Sequence, residues 1–436
     1  MSGSTSAMIG FAVLLLLIGL RMPIGLAMLV VGALGYMSFV GPDAFLNYMK
    51  TTPYHLFANY TLSVIPLFIL MGAFAERSGL SRDLFRAAGR AFGQRPGGLG
   101  MAVIGACTVF GAICGSSVAT TATFSRAALP ELKRYGYDPG FAGATVAVGG
   151  TLGILVPPSI ILVVYALATE QNIVKLFQAA LIPGLIAAAF YCLLIGWLVS
   201  RNPKLAPSVV VEGEAGSWSS VWPAVFVGVT VVGGIYGGIF TPTEGAAVGA
   251  IAMLLVGVLR RSLSLDGIKT SLLQTGETTA MIFIILLGAE VFNGFLALSQ
   301  LPADAAQTIA DSGFSPFAIL TMLLALYIVL GAVMDELAMI LLTLPVFFPV
   351  VSALDFGLPP DEVAIWFGIL VLIVVGVGLI APPIGLNVFV VSAIAKEIPA
   401  LAIYRRVLPF IAADIVRLAL VMFFPGLALV LVRLLN

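Results

Sequence analysis

Apolar runs of membrane-spanning length recur from Met8 to Leu435 with short polar breaks between them. Runs near 7–20, 24–40, 56–75, 139–169, 176–200, 219–240, 244–259, 270–299, 363–395 and 407–433 predict spanning helices, with residues 7–40 read as two spans parted at Arg21. Two further apolar stretches, about 97–130 and 315–353, are interrupted at their centres. The interruptions read Gly111-Ala-Ile-Cys-Gly115-Ser116-Ser117 and Gly331-Ala-Val-Met334-Asp335-Glu336. After each comes a long apolar segment broken by a proline pair, Gly149-Gly150-Thr151-Leu-Gly153-Ile-Leu-Val-Pro157-Pro158-Ser159 and Gly376-Val-Gly378-Leu-Ile-Ala381-Pro382-Pro383-Ile-Gly385-Leu-Asn387. Proline removes an amide donor and clashes with the preceding turn, so each break predicts an unwound stretch between half-helices.

The charges orient these elements. The polar stretches on either side of 97–130 carry Arg77, Arg82, Arg86, Arg90 and Arg95 before it and Arg126, Lys133 and Arg134 after it. Basic residues stay on the cytoplasmic side, so this segment returns to the face it left and reads as a re-entrant hairpin. The stretches flanking 315–353 carry Asp304, Asp311, Asp355, Asp361 and Glu362 and no base, which predicts a second hairpin entering from the periplasm. The chain thus reads as an all-α polytopic membrane protein of two inverted repeats, 7–200 and 218–435, joined by a polar linker at 201–217, with a periplasmic N-terminus. Paired broken helices in inverted repeats are the signature of alternating access, with binding at the repeat interface.

Composition agrees. The 436-residue chain is 60% hydrophobic and 10% charged, with a mean hydropathy of +1.12. Lys plus Arg and Asp plus Glu number 21 each, a balance that argues against a nucleic-acid partner. Cys107, Cys114 and Cys192 lie in apolar runs, so they read as buried small residues. The run after the N-terminal MSGSTSAMIG reads as a retained helix.

Half-helix ends and unwound backbone can bind a transported ion pair: free carbonyls suit Na⁺, and helix N-termini favour an anion. The first tip and break offer Gly111, Gly115, Ser116, Gly150, Thr151 and Gly153 to a cation, and the second offer Gly331, Met334, Asp335, Gly378, Ala381 and Asn387. Ser116, Ser117, Thr120 and Asp335, with the breaks at Pro158 and Pro383, are the candidate substrate contacts. Small residues at single positions also serve close helix packing, so the weight rests on the pairing of four features. A mid-membrane carboxylate is costly, which singles out Asp335, with Glu336 expected to be solvated. Asp414 and Arg417 read as interface residues at the end of an apolar run.

Several stretches resemble the large permease subunit of tripartite ATP-independent periplasmic (TRAP) transporters. These are Ile65-Pro-Leu-Phe-Ile-Leu-Met-Gly72 with Arg77-Ser-Gly79, the first tip from Gly111 to Ser117, the first break from Gly150 to Ser159, Gly238-Ile-Phe-Thr-Pro-Thr-Glu244, Met334-Asp335 of the second tip, and the second break from Gly378 to Asn387. Departures are Gly376 where the family often has an acid, Ala381 where Thr is common, and Glu336 where a small residue is usual. The resemblance implies an inner-membrane importer of sialic acid, C4-dicarboxylates or related carboxylates, coupled to two or more Na⁺ and moving as an elevator of the ion-transporter superfamily. It implies a small four-helix membrane subunit and a periplasmic substrate-binding protein as partners, and no catalysis. A stand-alone Na⁺-coupled carboxylate carrier is the alternative. A membrane enzyme is disfavoured by the single histidine, His55, and a channel by the two opposed hairpins.

Overall fold

A computed structural model describes residues 3–93, 95–207, 218–310 and 313–435. Most of the expected linker, 208–217, lies outside the described residues, as does Asp311. Secondary structure among the described residues is helical throughout. Five helices among the described residues are long and apolar enough to cross a membrane, or up to seven spans if each of two bent pairs is one span.

The first broken segment runs as Pro139–Leu155 and Ile160–Ala168, bent by 44°. Pro139 stands at the first helical turn behind an Asp138 cap, and Ser159 caps the second half, so each half has its own start signal. The second broken segment runs as Pro360–Gly378 and Leu386–Ile394, and the Pro157–Pro158 and Pro382–Pro383 peptide bonds are both cis. The leading halves are buried on every side, Trp366, Phe367 and Phe141 among them. A helix apolar all round belongs in the protein interior, and these two form the centre of the molecule.

Around them pack the arms of the two hairpins, Gly98–Cys114 with Ser117–Ala127 and Pro316–Gly331 with Glu336–Ser352. At 1.5 Å per residue the 11-residue arm reaches only ~17 Å, too short for a ~30 Å hydrocarbon layer. Farther out, the 35-residue helix Leu265–Ser299 lies along Ile24–Val40. Their backbones approach through glycine: a Cβ on Gly32 would come within 2.6 Å of the Phe292 backbone nitrogen.

Residues 3–40 form two helices, Gly3–Gly19 and Ile24–Val40, parted at Arg21, which has φ +68°. Several helices depart from the expectation, Leu301–Ala310 in the acidic stretch before the second hairpin among them. Pro42–Phe57 fills what reads as a loop and buries none of its residues, and Leu80–Phe92 fills the arginine-rich loop. The last apolar run is bent by 54° between Ala400–Phe423 and Gly426–Leu435. Polar faces hid Pro42–Phe57 and Leu80–Phe92, and Pro425 with Gly426 marks the bend.

Candidate functional site

Each hairpin tip is laced to the break of its own half. At the first, the Ile160 amide donates to the Gly115 carbonyl at 3.3 Å, and at the second the Ile384 amide donates to the Ala332 carbonyl at 3.2 Å. Glycine makes both approaches possible. A Cβ on Gly153 would lie 2.5 Å from the Ser116 carbonyl, one on Gly111 2.8 Å from the Leu152 carbonyl, and one on Gly378 2.6 Å from the Gly331 carbonyl carbon. Gly115 itself turns the chain at φ +63°. Met334 and Ala381 lie buried at the second tip and break.

The sequence grouped Asn387 with the second tip, but its side chain reaches the first. Its Nδ2 donates to Ser117 Oγ at 2.8 Å and to the Ala147 carbonyl at 3.0 Å. Asn387 Oδ1 and Thr121 Oγ1 are buried and have no hydrogen-bond partner among the described residues. Gly150 faces both side chains, and a Cβ there would overlap the Thr121 hydroxyl. Burying such oxygens unpaired is costly. The Thr121 hydroxyl lies against Gly150, and with the second unpaired oxygen, Asn387 Oδ1, it offers donors suited to a hard cation. Thr121 is one of the four hydroxyls, with Ser116, Ser117 and Thr120, that the sequence offers at the first tip.

Thr120 Oγ1 is spent on the Ser116 carbonyl at 2.7 Å, and Thr151 is turned elsewhere. Thr151 Oγ1 donates to the Val148 carbonyl at 2.7 Å and lies 3.3 Å from Tyr191 Oη, which in turn donates to Asp414 at 2.8 Å. Asp414 pairs with Arg417 at 2.9 Å, and both side chains are at most 1% exposed. This corrects the interface reading of Asp414 and Arg417: they are a buried ion pair tied to the first break. Their spacing of three on one helix was the available signal.

A cavity of about 400 Å³ opens where tips and breaks meet. Gly115 and Ser116 line it from the first tip, Asp335 and Glu336 from the second, and Ile160 and Leu386 from the two breaks. Ile69, Gly72 and Glu76 close one wall, with Gln274, Thr278 and Met281 of the 35-residue helix. Of the expected substrate contacts, Ser116 and Asp335 reach this cavity. Ser117 and Thr120 are buried behind it, Pro158 is buried, and Pro383 is exposed near Tyr404, whose hydroxyl donates to its carbonyl at 3.1 Å. Arg126 at the cavity is paired with Glu76 at 2.9 Å.

The two acids of the second tip reverse their expected environments. Asp335 is half-buried and caps its own helix, accepting from the Leu337 amide at 3.1 Å and the Ala338 amide at 3.4 Å. Glu336, expected to be solvated, is 8% exposed, and its Oε2 has no hydrogen-bond partner among the described residues. No group of three or more His, Cys, Asp or Glu side chains placed to hold a metal occurs among those residues.

The family model described as "Tripartite ATP-independent periplasmic transporter, DctM component" matches residues 11–427. The chain is 37% identical to the C4-dicarboxylate TRAP transporter large permease protein DctM of Pseudomonas aeruginosa over 86% of each chain. It is 32% identical to the isethionate TRAP transporter permease protein DctMQ of Oleidesulfovibrio alaskensis, over 96% of this chain and 65% of that longer one. Among solved structures, the Alcanivorax borkumensis YdaH transporter superposes with a TM-score of 0.63 at 16% identity, covering 88% of this chain and 89% of that one.

Proposed function

The chain belongs to the DctM-component family of tripartite ATP-independent periplasmic transporters, as a large permease subunit, and from that premise we propose that it imports a small organic anion by Na⁺-coupled alternating access. The observation that carries this reading is the convergence of two glycine-laced tips and two proline breaks on one 400 Å³ cavity. A pair of half-helices unwound beside a cavity is how membrane carriers expose carbonyls to ions and helix N-termini to anions. Thr121, Asn387 and the Gly150 backbone are the proposed first cation site, and the backbone from Gly331 to Met334 with Gly378 and Ala381 the second. Ser116 and the N-terminus of Ser117–Ala127 take the anionic end of the substrate.

The hairpins and broken helices form the moving body, and Leu265–Ser299 with Ile24–Val40 the fixed one, in an elevator motion. Residues 7–200 and 218–435 are the inverted repeats of this design, set in the inner membrane with the N-terminus periplasmic. The anion is handed over by a periplasmic binding protein, and a small membrane subunit completes the permease. The longer relative whose name joins M and Q is consistent with such a subunit. Proteoliposomes holding both membrane subunits test the reading: uptake must require the binding protein and an inward Na⁺ gradient, and fail when K⁺ replaces Na⁺. Robust uptake of free substrate by this chain alone would overturn it in favour of a stand-alone carrier.

A further inference from the structure

The two tips that close the cavity differ in charge. The first ends in Cys114, Gly115 and Ser116, and no acid lines the cavity from that tip or its break. Two helix N-termini point there, those of Ser117–Ala127 and Ile160–Ala168, and both are capped by serine hydroxyls rather than by carboxylates. The second tip presents Asp335 and Glu336. Asp335 caps its helix through Oδ1, and Glu76 is paired with Arg126 at 2.9 Å. That leaves Glu336, 92% buried by its 8% exposure, with Oε2 unpaired and no other Lys or Arg lining the cavity.

We infer that Glu336 is a specificity-determining residue whose free carboxylate oxygen receives an N–H donor on the substrate, so that the transported acid also carries an ammonium or amidinium group. The inference rests on the proposed transport reading and deepens it. The two ends of the cavity differ: the first offers helix N-termini with no acid, which suits a carboxylate, while the second presents two acids and no base. A plain dicarboxylate would place its second charge against Glu336. A zwitterionic acid satisfies both ends and supplies the donor that the buried oxygen lacks.

Matched compounds differing only by an amino group test this: aspartate against succinate, and β-alanine against propionate. Their effect on the thermal unfolding of the purified large–small subunit complex in Na⁺ gives apparent affinities. The aminated member of each pair is expected to bind about tenfold to a hundredfold more tightly, the range for a charge-assisted hydrogen bond. Glu336→Gln is expected to erase that preference while stabilisation by Na⁺ itself is retained. Equal or tighter binding of succinate or propionate, binding of none of the four, or a preference that survives in Glu336→Gln would each overturn the inference. Loss of Na⁺ stabilisation in the wild-type complex would instead count against the transport reading beneath it.

Discussion

At Gly150 the smallest side chain creates the most consequential space. Thr121→Val keeps the volume and removes the unpaired oxygen beside it, so half-maximal uptake should need about tenfold more Na⁺, with membrane insertion unchanged. Gly150→Ala should abolish uptake, because its methyl would overlap the Thr121 hydroxyl. Both are read from initial uptake against Na⁺ concentration at equal protein. At the second tip, Asp335→Ala should lower stability by about 1 kcal/mol through the lost cap, whereas Asp335→Asn keeps a good capping residue and should melt like the wild type. The sequence marked Gly150, Ser117 and Asn387 as site residues but could not say where the Asn387 side chain goes. Its partners lie 240 and 270 positions away in the chain, and no local pattern encodes such a distance.

Tips and breaks are the elements most legible in the sequence, because glycine, serine and paired prolines are the residues that interrupt a helix. The amphipathic helices Pro42–Phe57 and Leu80–Phe92 were not read, since their charges made them look like connections between spans. The buried pair of Asp414 and Arg417 was misread for a related reason. Near the end of an apolar run, a charge facing lipid headgroups and one facing the core leave the same trace in sequence. Arg417→Met, which leaves Asp414 buried without its cation, should cost about 3–5 kcal/mol. Asp414→Leu combined with Arg417→Met should recover most of that loss, as measured by thermal unfolding in detergent. Recovery of stability without recovery of transport would assign the pair to holding Tyr191 and Thr151 at the first break. Gly378→Ala should separate the second tip from its break at about 1–3 kcal/mol, the usual cost of overpacking.

For the whole molecule, the distribution of charge predicts that Arg90 and Asp304 lie on opposite faces of the membrane. Single cysteines at these positions, in a background without Cys107, Cys114 and Cys192, should react with an impermeant thiol reagent from opposite sides. A cysteine at Val333, 57% exposed at the second tip, should react, while one at Ser117, fully buried beneath the first, should not. The hydrogen bond from Asn387 to Ser117 carries a further consequence. The oxygens gathered at the first tip come from both ends of the chain, so neither end holds a complete set. Residues 1–207 and 218–436 produced as separate polypeptides should each insert, yet the first, which lacks Asn387, should show no response to Na⁺. Co-expressed in one cell, they should complement each other and restore it, as two gene products sharing one site.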